Sequence, residues 1–111
     1  MKQQSNERAI IICSDSTGET AEGVVKATMR QFESVPAVIR RHSNISHEED
    51  IRLIVEEAAS KTAFIAYTLV QPELRECMKQ ECIRMGVRAV DIMGPMMQAF
   101  VDSFHTNPIA K

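Results

Sequence analysis

An unbroken apolar run, Ala9-Ile10-Ile11-Ile12-Cys13, passes directly into Ser14-Asp15-Ser16-Thr17-Gly18-Glu19-Thr20, and an amphipathic helical pattern begins just beyond it. Nothing else in the chain restricts its fold as much. Apolar residues without alternation suit a strand buried on both faces, as in a parallel sheet. Small hydroxyl side chains and one glycine then permit a tight strand-to-helix turn, in which several N–H groups and the positive end of the next helix converge. The turn predicts an anion site formed by Ser14, Asp15, Ser16, Thr17, Gly18, Glu19 and Thr20, with a phosphate group as its natural occupant. A plainer reading stands beside it, because Ser16-x-x-Glu19 also has the form of a capping box that needs no ligand.

Strand and helix patterns alternate along the rest of the chain. Ala21, Val24, Val25, Met29 and Phe32 recur at helical spacing and predict a first helix reaching about Glu33, ended by Ser34-Val35-Pro36. Ala37 to His42 reads as a short strand whose Arg40 and Arg41 suit a sheet edge. Ser46-His47-Glu48-Glu49 has capping-box form ahead of a helix lasting to about Ser60, and Thr62 to Val70 predicts a central strand. Pro72 suits the first turn of the next helix and Gly86 its left-handed end. Val87 to Met93 completes the strands, and Gly94-Pro95 opens a last helix. This alternation predicts one parallel four-stranded α/β sheet, order 2-1-3-4, with helices on both faces in a Rossmann-like or flavodoxin-like three-layer sandwich. In that order the chain reverses between the first and third strands, and ligands bind such sheets in the crevice beyond the strand ends. The Ser14–Thr20 loop falls there.

Composition narrows the classes. At 111 residues, 44% hydrophobic and 25% charged, the chain has the profile of a single packed domain. A formal charge of -2 gives no footprint for nucleic acid, and Arg40-Arg41 is too short a basic run to supply one. No apolar stretch approaches the ~20 residues of a membrane span. Met1 to Glu7 is polar and lacks the apolar centre of a signal peptide, so a cytoplasmic location is expected. Three cysteines, Cys13, Cys77 and Cys82, suit a reducing compartment and read as buried thiols, and their spacing does not suit zinc. No metal site is expected.

Around the crevice the fold would place His42, Thr68 and Asp91 as a rim. No serine, histidine and carboxylate are spaced as a triad, the G-x-S-x-G elbow is absent, and no catalytic base is assigned. Met93, Met96 and Met97 are expected to fill the core; exposure of Met96, Phe100 or Phe104 would instead predict a homodimer or packing against a further segment. Thr17-Gly18-Glu19-Thr20 is also similar to the T-G-x-T core of the flavodoxin phosphate loop, which leaves an FMN-binding domain as an alternative. Asp15 stands there in place of a hydroxyl residue, and the chain has no Trp and a single Tyr, Tyr67, to flank a flavin. A phosphate-binding or dimerisation module without chemistry is the third reading.

Two segments together, I-I-I-C-S-D-S-T-G-E-T-A-E-G-V-V at Ile10 to Val25 and V-R-A-V-D-I-M-G-P-M-M at Val87 to Met97, resemble the N-terminal part of the bacterial pyruvate, phosphate dikinase regulatory proteins. The resemblance implies a bifunctional serine/threonine kinase and pyrophosphorylase. Such proteins use ADP to phosphorylate a threonine of pyruvate, phosphate dikinase or phosphoenolpyruvate synthase, switching it off, and remove that phosphate with inorganic phosphate, releasing pyrophosphate. The nucleotide-binding P-loop of the family lies downstream of the matched segments, and no G-x-x-x-x-G-K-[ST] occurs in these 111 residues. The expected organisation is therefore an N-terminal α/β domain over residues 1–106, with 107–111 opening a linker to a P-loop domain. The chain alone is expected to lack kinase activity and to need no cofactor; ADP and inorganic phosphate would be substrates of the longer protein.

Overall fold

A computed structural model of the protein describes residues 8–109; the polar N-terminus and the last two residues of the expected linker lie outside the described residues. Four parallel strands, β1 (Arg8–Ser14), β2 (Ala37–His42), β3 (Phe64–Thr68) and β4 (Ala89–Asp91), form one sheet in the order β2-β1-β3-β4. Helices α1 (Glu19–Met29), α2 (Glu48–Lys61), α3 (Pro72–Met85) and α4 (Gly94–Phe104) follow the four strands in turn. The expected class and strand order are therefore those observed.

β1 is an interior strand and, like its neighbour β3, is apolar on both faces. Ile11 and Cys13 enter a core with Ile51, Val55, Ile65, Leu74 and Met78, under α2 and α3. Ile10 and Ile12 point the other way, into a smaller core with Ala21, Val25 and Ala66 under α1. Burying each such side chain contributes roughly 1.5–3 kcal/mol, so β1 anchors both layers at once. β2 pairs with β1 on one side only, and its arginines reach opposite faces: Arg40 meets Glu57 of α2 at 2.7 Å and Arg41 meets Glu22 of α1 at 2.8 Å. Charge on both faces is what an edge strand can tolerate.

Three local expectations are corrected. Neither capping box forms. α1 starts after Gly18, whose φ of 85° no side-chain cap accompanies, and α2 starts after His47 rather than Ser46. The reason is that backbone bonds fix where the chain enters each helix. Asn44 donates to the Ser16 carbonyl at 2.7 Å and Ile45 to the Ser14 carbonyl at 3.0 Å, leaving Ser46 one residue early; its hydroxyl bonds His47 Nδ1 instead. Strands β3 and β4 are shorter than their apolar runs: Thr62 still closes α2 in the left-handed region at φ 53°, so β3 begins only at Phe64, and the turn into α4 at Gly94 follows soon after Asp91. Finally, the methionines of α4 do not all fill the core. No residue of α4 is buried, and Met96, Phe100 and Phe104 are 63%, 51% and 64% exposed. By contrast Pro72 at the start of α3 and Gly86 at its end, φ 69°, take the roles their chemistry suggests.

Candidate functional site

The carboxyl ends of β1 and β3 lie side by side, with Ser14 opposite Thr68 in the ladder. Residue alternation turns both toward the α1 face, the face of Ile12 and Ala66. Ser14 is buried and its hydroxyl accepts the Ser16 amide at 3.0 Å, which bends the chain out of the strand. Ser14 and Ser16 carbonyls then accept from Ile45 and Asn44, so the loop is stitched to the segment that follows β2.

Asp15 turns away from this bend. Its Oδ2 accepts the amides of Val70 and Gln71 at 2.9 and 3.0 Å, and its own amide donates to the Thr68 carbonyl at 3.4 Å. The carboxylate thus closes the start of α3, where backbone donors and the helix dipole favour negative charge. Charge-assisted bonds of this kind are the stronger class.

At the start of α1 the situation is different. Thr17 Oγ1 accepts the Glu19 amide at 3.3 Å, but no described residue accepts a hydrogen bond from the amides of Thr17, Gly18 or Thr20. All three residues line a cavity of about 840 Å³. Thr68 lines it too and is only 5% exposed, yet no described residue hydrogen-bonds its hydroxyl. No fully enclosed side-chain oxygen among the described residues is left without a partner, so this hydroxyl opens on the cavity. The far wall comes from Ile45, Ser46, His47 and Glu48 ahead of α2 and from Val70, Gln71, Glu73 and Leu74 around the start of α3, with Met93 beyond. Among the described residues no Lys, Arg, Phe, Tyr or Trp side chain is on the lining.

Of the loop residues named from sequence, Ser14, Asp15, Ser16, Thr17, Gly18 and Thr20 line this cavity and Glu19 does not. Of the three rim residues, Thr68 lines it. His42 is engaged elsewhere, its Nε2 3.0 Å from Glu57 Oε1. Burial pushes the Glu57 carboxyl up, but hydrogen bonds from Arg40 and His42 outweigh this and hold it below its ordinary value. Asp91 is also occupied, its Oδ1 accepting the Gly94 amide at 2.6 Å at the start of α4. The walls contributed by residues 45–48 and 70–74 were not singled out from sequence. The signal for them was the rule that ligands sit beyond strand ends, which extends to every strand-to-helix connection.

Chemically the cavity offers donors and hydroxyls rather than a nucleophile. Burial, and next the charge of Asp15, push the Cys13 thiol up to about 12, so the thiolate is not accessible near neutral pH. Tyr67 is 3% exposed in the core under α2 and α3, and its phenol is pushed up to about 12 by burial and then by Asp91. His47 Nδ1 lies 3.0 Å from Ser46 Oγ and 3.8 Å from Asp50 Oδ2; both neighbours meet the same ring nitrogen, so no proton relay runs through the ring. Among the described residues no group of three or more His, Cys, Asp or Glu could hold a metal ion, and no helix is long and apolar enough to cross a membrane.

The sequence model of the kinase/pyrophosphorylase family matches residues 10–111. A protein of Geobacillus thermodenitrificans named "Putative pyruvate, phosphate dikinase regulatory protein" is 41% identical over 103 residues, covering 93% of this chain and 39% of its own length. Similarly named proteins of Lysinibacillus sphaericus and Syntrophomonas wolfei are 42% and 46% identical, over 90% and 82% of this chain and 38% and 33% of their own. The chain therefore spans between a third and two fifths of the length of these relatives.

Proposed function

The chain belongs to the kinase/pyrophosphorylase family, and from that membership we propose that it is the N-terminal part of a cytoplasmic regulator of pyruvate, phosphate dikinase or phosphoenolpyruvate synthase. The whole protein would transfer a phosphoryl group from ADP to a threonine hydroxyl of the target, leaving AMP. In the reverse direction inorganic phosphate would take that group and leave as pyrophosphate. Phosphoryl transfer asks a protein mainly for positioning and charge stabilisation. This segment has no P-loop, so nucleotide binding is assigned to the remaining length of the protein and the segment alone is inactive.

Within that scheme the strand-end cavity holds a phosphate-bearing group. One observation carries this reading: among the described residues the amides of Thr17, Gly18 and Thr20 have no acceptor, and beside them the hydroxyl of the largely buried Thr68 opens on the cavity with no protein partner. Unpaired donors grouped at a helix start are what an anion site requires. Two measurements test the reading. Inorganic phosphate should move the backbone amide signals of Thr17, Gly18 and Thr20 in a titration of the chain. Thr68→Val should leave stability within about 0.5 kcal/mol of wild type, because no bond inside the protein is lost, while weakening phosphate binding severalfold. Signals that move elsewhere, or binding untouched by Thr68→Val, would remove the site. Transfer from ADP to the dikinase by this chain alone would refute the division of labour.

A further inference from the structure

The cavity also carries a charge pattern that the anion reading does not use. Its titratable lining consists of Asp15, His47, Glu48 and Glu73. Asp15 is spent on the start of α3 and His47 projects outward with its side chain 79% exposed. Glu73, in the first turn of α3, has no ion-pair partner among the described residues, and Glu48 is met at 3.4 Å by Arg52, which is not on the lining. An anion entering here meets neutral donors at α1 and Thr68, carboxylates toward α2 and α3, and an apolar wall of Val70, Leu74 and Met93.

Resting on the phosphate reading above, we propose that the cavity takes a phosphate monoester and that Glu73, with Glu48, excludes polyphosphates. A single phosphoryl group fits the Thr17, Gly18 and Thr20 amides, and the organic side of the ester lies against the apolar wall. A second phosphoryl group adds charge that no Lys or Arg of the described lining neutralises and that the two carboxylates repel; in a partly enclosed site such repulsion is only weakly screened. Specificity then comes from what the site refuses as much as from what it holds.

The test compares phosphothreonine capped at both ends, inorganic phosphate, pyrophosphate and ADP in the presence of a chelator, at matched ionic strength, by amide titration of the chain. Capped phosphothreonine should move the Thr17, Gly18 and Thr20 signals with at least tenfold higher affinity than pyrophosphate or ADP. Glu73→Gln combined with Glu48→Gln should narrow that gap to under threefold, with Glu73→Gln alone giving most of the change. If the double variant does not fold, raising salt on the wild type tests the same point, because a repulsive gap shrinks with screening. Equal affinities in the wild type, or a gap unchanged by both the substitutions and salt, would overturn the selectivity while leaving the phosphate site standing. Failure of every probe to move the three amides would overturn both.

Discussion

The helices α1 and α3 start at the same end of the sheet, a few ångströms of chain beyond paired strand ends, yet their N-termini are finished in opposite ways. At α3 a carboxylate from 55 residues upstream accepts the Val70 amide, and the next amide as well. At α1 the chain arrives through Gly18 with no side-chain cap, and the amides of Thr17, Gly18 and Thr20 on the cavity wall meet no acceptor among the described residues. α4 follows the α3 pattern, with Asp91 taking the Gly94 amide. The difference teaches that acidic residues around a crevice need not oppose an anion site. Asp15 interrupts a hydroxyl-rich loop in sequence, but in space it belongs to another helix.

The comparison can be broken at several points. Asp15→Ala should have the largest effect, a loss of about 3 kcal/mol in urea unfolding, because two amides lose a charged acceptor at a partly buried helix start; Asp15→Asn should recover about half. A loss under about 1 kcal/mol would show that α3 is held by other means. Gly18→Val should cost about 2 kcal/mol, chiefly because a β-branched residue resists φ of 85°. Its Cβ would also sit 3.0 Å from Arg41 Cδ, a flexible neighbour that can yield. Retention of wild-type stability would mean that the loop can adopt another path into α1. Gly94→Ala should cost about 1 kcal/mol, since an added Cβ would run into the Asp91 carboxylate and displace it from the α4 amide.

Glu57→Gln should be the mildest and sharpens the contrast by leaving the crevice alone. The folded carboxyl holds its proton less tightly than the unfolded one, so the pair stabilises the fold above the ordinary value of 4.5. That contribution fades as the pH falls through the lower folded value. The substitution should remove under about 1 kcal/mol at neutral pH and flatten the acid limb of the stability curve. It should not change the phosphate-induced shifts of Thr17, Gly18 and Thr20. An altered shift pattern would return His42, the partner of Glu57, to the crevice.

The sheet was legible because its cause is local. A run such as Ile10 to Cys13 suits only a strand covered twice, and alternating strand and helix patterns leave few right-handed ways to connect parallel neighbours. Pro72 and Gly86 were legible for the same reason, each being fitted to its place by its own backbone. The helix starts at Gly18 and His47 were not, because hydrogen bonds from Asn44 and Ile45 to the first loop decide where those helices can begin. The apolar periodicity of α4 was real, but periodicity states that a face is apolar and not what covers it; Met96, Phe100 and Phe104 stand exposed.

The candidate site divides along the same line. Residue order alone put a hydroxyl-rich turn with one glycine at the tip of the central strand, since that much depends on neighbours along the chain. Which carboxylates serve the fold, which amides stay open, and that the Thr68 hydroxyl opens on the cavity depend on residues brought together from three separate loops. Contacts across such separations carry no periodic signature, and only the packed sheet brings them within hydrogen-bonding distance.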